Sequence, residues 1–171
     1  MPVLGGDNAS GTLRINGTTG LGQPIRQFRS LGNPMARYQR VTQEDKWGCG
    51  VACIASLLGI TYREARDAVE IAKGGRVNAR PAGLELHVIA EALRSHGVKV
   101  VADWYPSRIP NGTIVFVAGG KRYGEAGHYI LKTPKGWMDP WYNLRKARKA
   151  EYRADYPRGT SPRVFLVPVR A

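Results

Sequence analysis

The sequence predicts an α+β fold, with helices in its first part packed on a mostly antiparallel sheet built from its second. Two observations carry this. Between Cys49 and Gly97, apolar residues recur every three or four positions, in runs each closed by glycine. After Gly97 the pattern shortens to β-branched runs of four to seven residues separated by Pro, Asn and Gly. Helices followed by strands, without alternation, favour an α+β arrangement over a parallel α/β sheet. With 171 residues and 43% hydrophobic content, the chain is long enough for one domain with a real core.

The elements follow in order. Residues 1–40 stand apart, with seven glycines, five arginines, one acid and no lysine. Their apolar residues are scattered. Thr12–Ile15 followed by Asn16-Gly17 reads as a short strand and a tight turn, and no lasting helical period follows. This segment is expected to be an extended arm that docks onto a larger assembly, such as a virion or secretion particle. Residues 41–171 form the folded domain. Its first helix starts at Cys49, is apolar on most of its circumference, and ends at Gly59. Thr61-Tyr62-Arg63-Glu64 is a capping-box pattern opening a second helix to about Ala72, with Ala65, Val69 and Ile71 toward its apolar side. A third runs from Leu84 to His96, and Gly97 stops it.

Val98–Trp104, Ile114–Val117, His128–Leu131, Gly136–Met138 and Val164–Val167 read as strands. Between Leu144 and Arg163 there are seven Lys/Arg against two Asp/Glu. Leu144, Ala147, Glu151 and Ala154 mark one face of a short helix there, whose other faces are basic. A polyanion contact is expected on this segment.

The net charge of +13 is high for a chain of this size and favours attraction to nucleic acid, anionic lipid or acidic polymers. No apolar run approaches the roughly 20 residues that span a bilayer, so no transmembrane segment is expected. The start, Met1-Pro2-Val3-Leu4-Gly5-Gly6-Asp7, has neither the basic nor the apolar region of a secretory signal. The expectation is synthesis in the cytoplasm, with packaging into a particle or unmarked export as later fates. The two cysteines, four residues apart on a helix, suit a disulfide poorly and are read as free thiols.

The chemistry concentrates in Gln43–Gly59. Cys49 lies between Gly48 and Gly50 at the start of a helix, where backbone N–H groups and the helix dipole favour a thiolate. Gln43, six residues upstream, carries an amide able to donate to a developing oxyanion. Downstream, His128 can pair with the thiol and protonate a leaving amine. Asp139, eleven residues further on, can hold the imidazole in one tautomer. Cysteine, histidine and carboxylate are the ingredients of thiol-based acyl transfer. Cys53 is the rival nucleophile, but it faces inward and is read as packing. His87 and His96 are read as structural. Asn143 is the alternative orienting residue. Cys-x3-Cys without a second pair is a weak zinc pattern, and no cofactor or metal is expected.

Gln43-x5-Cys49-Gly50-Val51-Ala52-Cys53, Gly127-His128-Tyr129 and Met138-Asp139-Pro140, in that order, resemble the C39-like peptidases of the papain-like cysteine protease superfamily. The resemblance covers roughly residues 43–140. It implies a papain-like fold, with Cys49 as nucleophile, His128 as its base, Asp139 as orienting residue and Gln43 in the oxyanion hole. The best-known members sit on a transporter and cut after a double glycine, and this sequence shows no transporter segment. The leading expectation is a thiol hydrolase acting on a peptide or isopeptide bond of a protein or peptide substrate. Two alternatives stand beside it: a papain-like domain serving as a structural part of an assembly through its arm, and a basic toxin-like effector acting on a polyanion.

Overall fold

A computed structural model describes residues 37–120, 126–141 and 149–169. Among the described residues three helices come first: α1 (Cys49–Leu58), α2 (Tyr62–Lys73) and α3 (Leu86–Arg94). Six strands follow among these residues: β1 (Val100–Asp103), β2 (Ile114–Ala118), β3 (His128–Thr133), β4 (Gly136–Asp139), β5 (Glu151–Arg153) and β6 (Ser161–Pro168). They form one sheet in the order β1-β6-β2-β3-β4-β5, and every pairing is antiparallel. The α+β class is therefore as expected.

Helix α1 is the centre of the packing. Residues Gly50 to Leu58 are all buried, as the apolar circumference requires. It lies among α2, α3 and the helix side of the sheet, where Ile114, Leu131, Met138 and Leu166 join the same core. Alternate residues of the strands, Val115, Val117, Ile130, Trp137 and Phe165, form a second cluster. Strand periodicity puts that cluster on the opposite face. Gly59 closes α1 in the left-handed region at φ 70°. The capping box of α2 is complete: the Glu64 N–H donates to the Thr61 hydroxyl, and the Thr61 N–H donates to the Glu64 carboxylate.

Two expectations are corrected. Ile71 does not join the apolar side of α2: it is 71% exposed, whereas Ala65 and Val69 are fully buried. At 100° per residue, a position two beyond Val69 has turned most of the way to the opposite side. The helix read through Glu151 and Ala154 is also absent. Glu151–Arg153 is a strand on the outer edge of β4, with Asp139 opposite Glu151 and Trp137 opposite Arg153. The i, i+3 spacing of apolar residues was outweighed by an available ladder and by the Tyr152 hydroxyl, which donates to the carbonyl of Tyr38. The remainder of that basic stretch, residues 142–148, and residues 1–36 of the arm lie outside the described residues. Residues 37–40 pack on the domain: Arg37 Nε donates to Leu57 O at 3.0 Å, and the Ser56 hydroxyl donates to Gln39 O at 2.6 Å. Among the described residues, no helix is long and apolar enough to cross a membrane.

The loop from α2 to α3 is organised by one cation. Lys73 Nζ donates to the carbonyls of Val77, Ala79, Pro81 and Gly83 at 2.9–3.2 Å. Charge-assisted hydrogen bonds of this kind contribute about 1.5–3 kcal/mol. Lys73→Met is therefore expected to lower stability by about 2 kcal/mol and to open the loop to trypsin at Arg76. Urea melts and limited proteolysis check this; an unchanged digestion pattern would count against it.

Candidate active site

Antiparallel pairing brings the site together. Strand β3 begins at His128 and β4 ends at Asp139, so the two residues lie at the same end of a hydrogen-bonded pair in register Leu131 to Met138. His128 Nε2 donates to Asp139 Oδ1 at 2.8 Å, with both side chains almost completely buried. The other face of the imidazole meets α1, where the Cys49 thiol and His128 are hydrogen-bonded. Since Nε2 is engaged by Asp139, Nδ1 is the nitrogen that faces the sulfur. The expected nucleophile, base and orienting residue are thus in contact as a chain.

The electrostatics of these groups are coupled. Burial alone would raise the Cys49 thiol. The hydrogen bond and charge of His128, with hydrogen bonds from the Tyr129 and Gly50 backbone, more than offset it and hold the thiol below its ordinary value. Burial likewise opposes the charged form of His128, but Asp139 and Cys49 outweigh it and push the imidazole up to about 9. Asp139 is held below the usual carboxylate value: burial acts against ionisation, while His128, the Trp141 N–H and the Arg153 charge favour it. A lowered thiol beside a raised imidazole favours the thiolate–imidazolium form of the pair. Cys53 differs. Burial, together with the Cys49 and Asp139 charges, pushes its thiol well above the ordinary value, and its side chain is fully enclosed.

Local structure explains why these residues are held where they are. The N-cap of α1 is Gly48, which brings no capping side chain, so the helix N-terminus is open toward the thiol. A Cβ at position 48 would lie 1.9 Å from the Tyr62 hydroxyl. That hydroxyl donates to Asp45 Oδ2 at 3.0 Å and accepts from the Asp45 N–H at 3.2 Å. Asn78 Nδ2 donates to Asp45 Oδ1 at 3.1 Å, and Asn78 Oδ1 accepts from the Trp47 N–H at 3.4 Å. Asp45 therefore ties the loop before Cys49 to α2 and to the loop that Lys73 organises. Gly127, at φ 64°, sets the direction in which the chain enters β3.

Gln43 lies beside the end of β4, and its amide is already engaged. Its backbone N–H donates to Pro140 O at 2.9 Å, joining the loop before α1 to the end of β4. Its side-chain Nε2 donates to the carbonyls of Asp45 and Lys46 at 3.1 and 3.3 Å. Oε1 is buried and has no hydrogen-bond partner among the described residues. The hydrogens that an oxyanion would take are thus used within Gln43's own loop.

Three further residues bear on the site and were not singled out from the sequence. Arg153 Nε donates to Asp139 Oδ2 at 2.8 Å. Asp45 and Tyr62 shape the loop before Cys49. No local sequence signal marks Arg153, because its partner lies fourteen residues away on a neighbouring strand. His87 is exposed and paired with Glu85, and His96 Nδ1 donates to Ala92 O beyond the end of α3. Asn143 lies outside the described residues. Two surface concavities, one lined by Arg108–Asn111 and Pro168 and one along the α2–α3 loop, include neither Cys49 nor His128. No protein-family model matches the chain, and comparisons with curated proteins and with solved structures return no match.

Proposed function

We propose that the chain is a papain-like thiol hydrolase that cleaves a peptide or isopeptide bond through an acyl-thioester on Cys49. The observation that carries this reading is the continuous contact from the Cys49 thiol through His128 to the buried carboxylate of Asp139. A nucleophilic cysteine at the N-terminus of a buried helix, facing a histidine on an antiparallel sheet, also supports the papain-like reading of the fold. In the first step the thiolate attacks the carbonyl carbon, and the imidazolium gives its proton to the leaving amine. In the second, the now neutral His128 takes a proton from water as that water attacks the thioester; the acyl group leaves as a carboxylic acid and the Cys49 thiolate is regenerated beside the imidazolium. The Cys49 N–H at the first turn of α1 is the candidate oxyanion donor. Gln43 would join it by exchanging its longer bond, to Lys46 O, for the oxyanion.

An activated ester tests the chemistry without knowledge of the natural substrate. With p-nitrophenyl acetate, Cys49 is expected to be acetylated and to turn over, and mass spectrometry locates the acetyl group. Cys49→Ala and His128→Ala are expected to lose both signals. Iodoacetamide near pH 6.5 is expected to label Cys49 and leave Cys53 untouched in the folded protein. A Cys49 that is no more reactive at pH 6.5 than a free thiol would overturn the reading.

A further inference from the structure

We propose that Arg153 is a positioning residue of this site, anchoring one carboxylate oxygen of Asp139 so that the other is committed to His128; this rests on the thiol-hydrolase reading above. Asp139 is fully enclosed, and its two oxygens have separate tasks. Oδ1 accepts from His128 Nε2 at 2.8 Å and from the Trp141 N–H at 3.2 Å. Oδ2 accepts from Arg153 Nε at 2.8 Å.

The register of β4 with β5 makes this geometry. Asp139 pairs with Glu151, and Arg153, two residues further along the same strand, shares the face of Glu151. The guanidinium reaches diagonally to Asp139 through Nε and to Glu151 through a terminal nitrogen. A rigid fork holding two carboxylates at once is a task for arginine and not for the single point charge of lysine. With Oδ2 held, the carboxylate is prevented from turning, and Oδ1 stays aligned with the imidazole. Arg153 meets Asp139 and not the reacting atoms, so it acts on the chemistry through Asp139 and His128.

Charge adds a second effect. The charged and titratable groups around the Asp139 carboxylate, among the described residues, are His128 from β3, Cys53 and the His128-bound Cys49 from α1, and Arg153 with Glu151 behind it from β5. Arg153 is the permanent cation of this set. Removing it makes each neighbouring proton harder to lose, so both the acid limb set by Cys49 and the base limb set by His128 move to higher pH.

The test is the pH profile of p-nitrophenyl acetate turnover, read together with the pH dependence of Cys49 alkylation by iodoacetamide. In Arg153→Met, both limbs of turnover and the acid limb of alkylation are expected to move up by about half a pH unit, and the maximum turnover to fall about tenfold or more. Arg153→Lys restores the charge without the fork; its limbs are expected at their original pH with a maximum still reduced. If Arg153→Met does not fold, Arg153→Gln gives the same readout with a neutral donor. A structural role alone would lower the profile at every pH and leave the limbs in place, which overturns the proposal. The two readings fail separately. Wild-type protein without His128-dependent reaction at Cys49 sinks the hydrolase reading, whereas a reactive wild type with unmoved limbs in the variants sinks only the role of Arg153.

Discussion

Asp139→Asn is expected to lower thiol-dependent turnover about 10²–10⁴-fold and to destabilise the fold by about 3 kcal/mol. The reason is directional. An asparagine can keep its carbonyl oxygen toward His128 Nε2 and the Trp141 N–H, but its amide nitrogen then faces Arg153 Nε, donor against donor. Turning the amide relieves that contact and opposes the imidazole N–H instead. Asp139→Ala removes both acceptors and leaves the Arg153 guanidinium with Glu151 as its carboxylate partner among the described residues.

The pH dependence of stability follows from the same contacts. The Asp139 carboxyl is depressed relative to about 3.9 in an unfolded chain, so its contribution is complete above that value. It is lost as the pH falls through the lower, folded value. His128 has the opposite sign. Its imidazole rises to about 9 in the fold, so its contribution is complete below about 6.5 and is lost as the pH rises through about 9. Urea midpoints measured across pH are therefore expected to decline toward both extremes in the wild type. Both declines should flatten in Asp139→Ala. Parallel profiles for the two proteins would contradict this account of the pair.

Gly127→Ala is expected to cost about 2–4 kcal/mol, from a residue forced to positive φ together with overpacking, and to reduce Cys49 alkylation at pH 6.5 more than tenfold. A Cβ at position 127 would lie 2.0 Å from Phe116 Cζ and within 2.8 Å of both neighbouring ring carbons. Phe116 cannot simply step aside, because its ring packs against Tyr129 with centroids 5.0 Å apart. Tyr129 in turn donates its hydroxyl to Leu84 O and its backbone to the Cys49 sulfur. Displacing Phe116 therefore disturbs the entry of His128 into β3 and the surroundings of the thiol together. The double change Gly127→Ala with Phe116→Leu removes the overlap and leaves the strained φ. It is expected to recover more than half of the lost stability in urea melts and most of the labelling. No recovery would place the cost in the backbone alone.

Much of the fold was legible because its signals are local. The helix at Cys49 is written in an apolar run closed by Gly59, and α2 in Thr61 and Glu64, which cap it as their spacing predicts. Strand boundaries were legible to within a few residues. Ile71 and the Glu151–Arg153 segment were not: the 100° helix period sets Ile71 nearly opposite Val69, and the spacing of the segment does not show its partner strand. Whether Glu151–Arg153 is helix or strand depends on the free edge of β4.

The sequence by itself determined the α+β order, the position of a free cysteine at a helix start, and the candidates Gln43, His128 and Asp139. These follow from composition, spacing and motif, which act over a few residues. Tertiary structure alone decided that the thiol, imidazole and carboxylate touch, that Arg153 holds the far oxygen of Asp139, and that the Gln43 amide is engaged within its own loop. Those facts depend on strand register and on burial. Register puts residues eleven and fourteen positions apart within hydrogen-bond distance, and burial turns such contacts into shifted proton affinities.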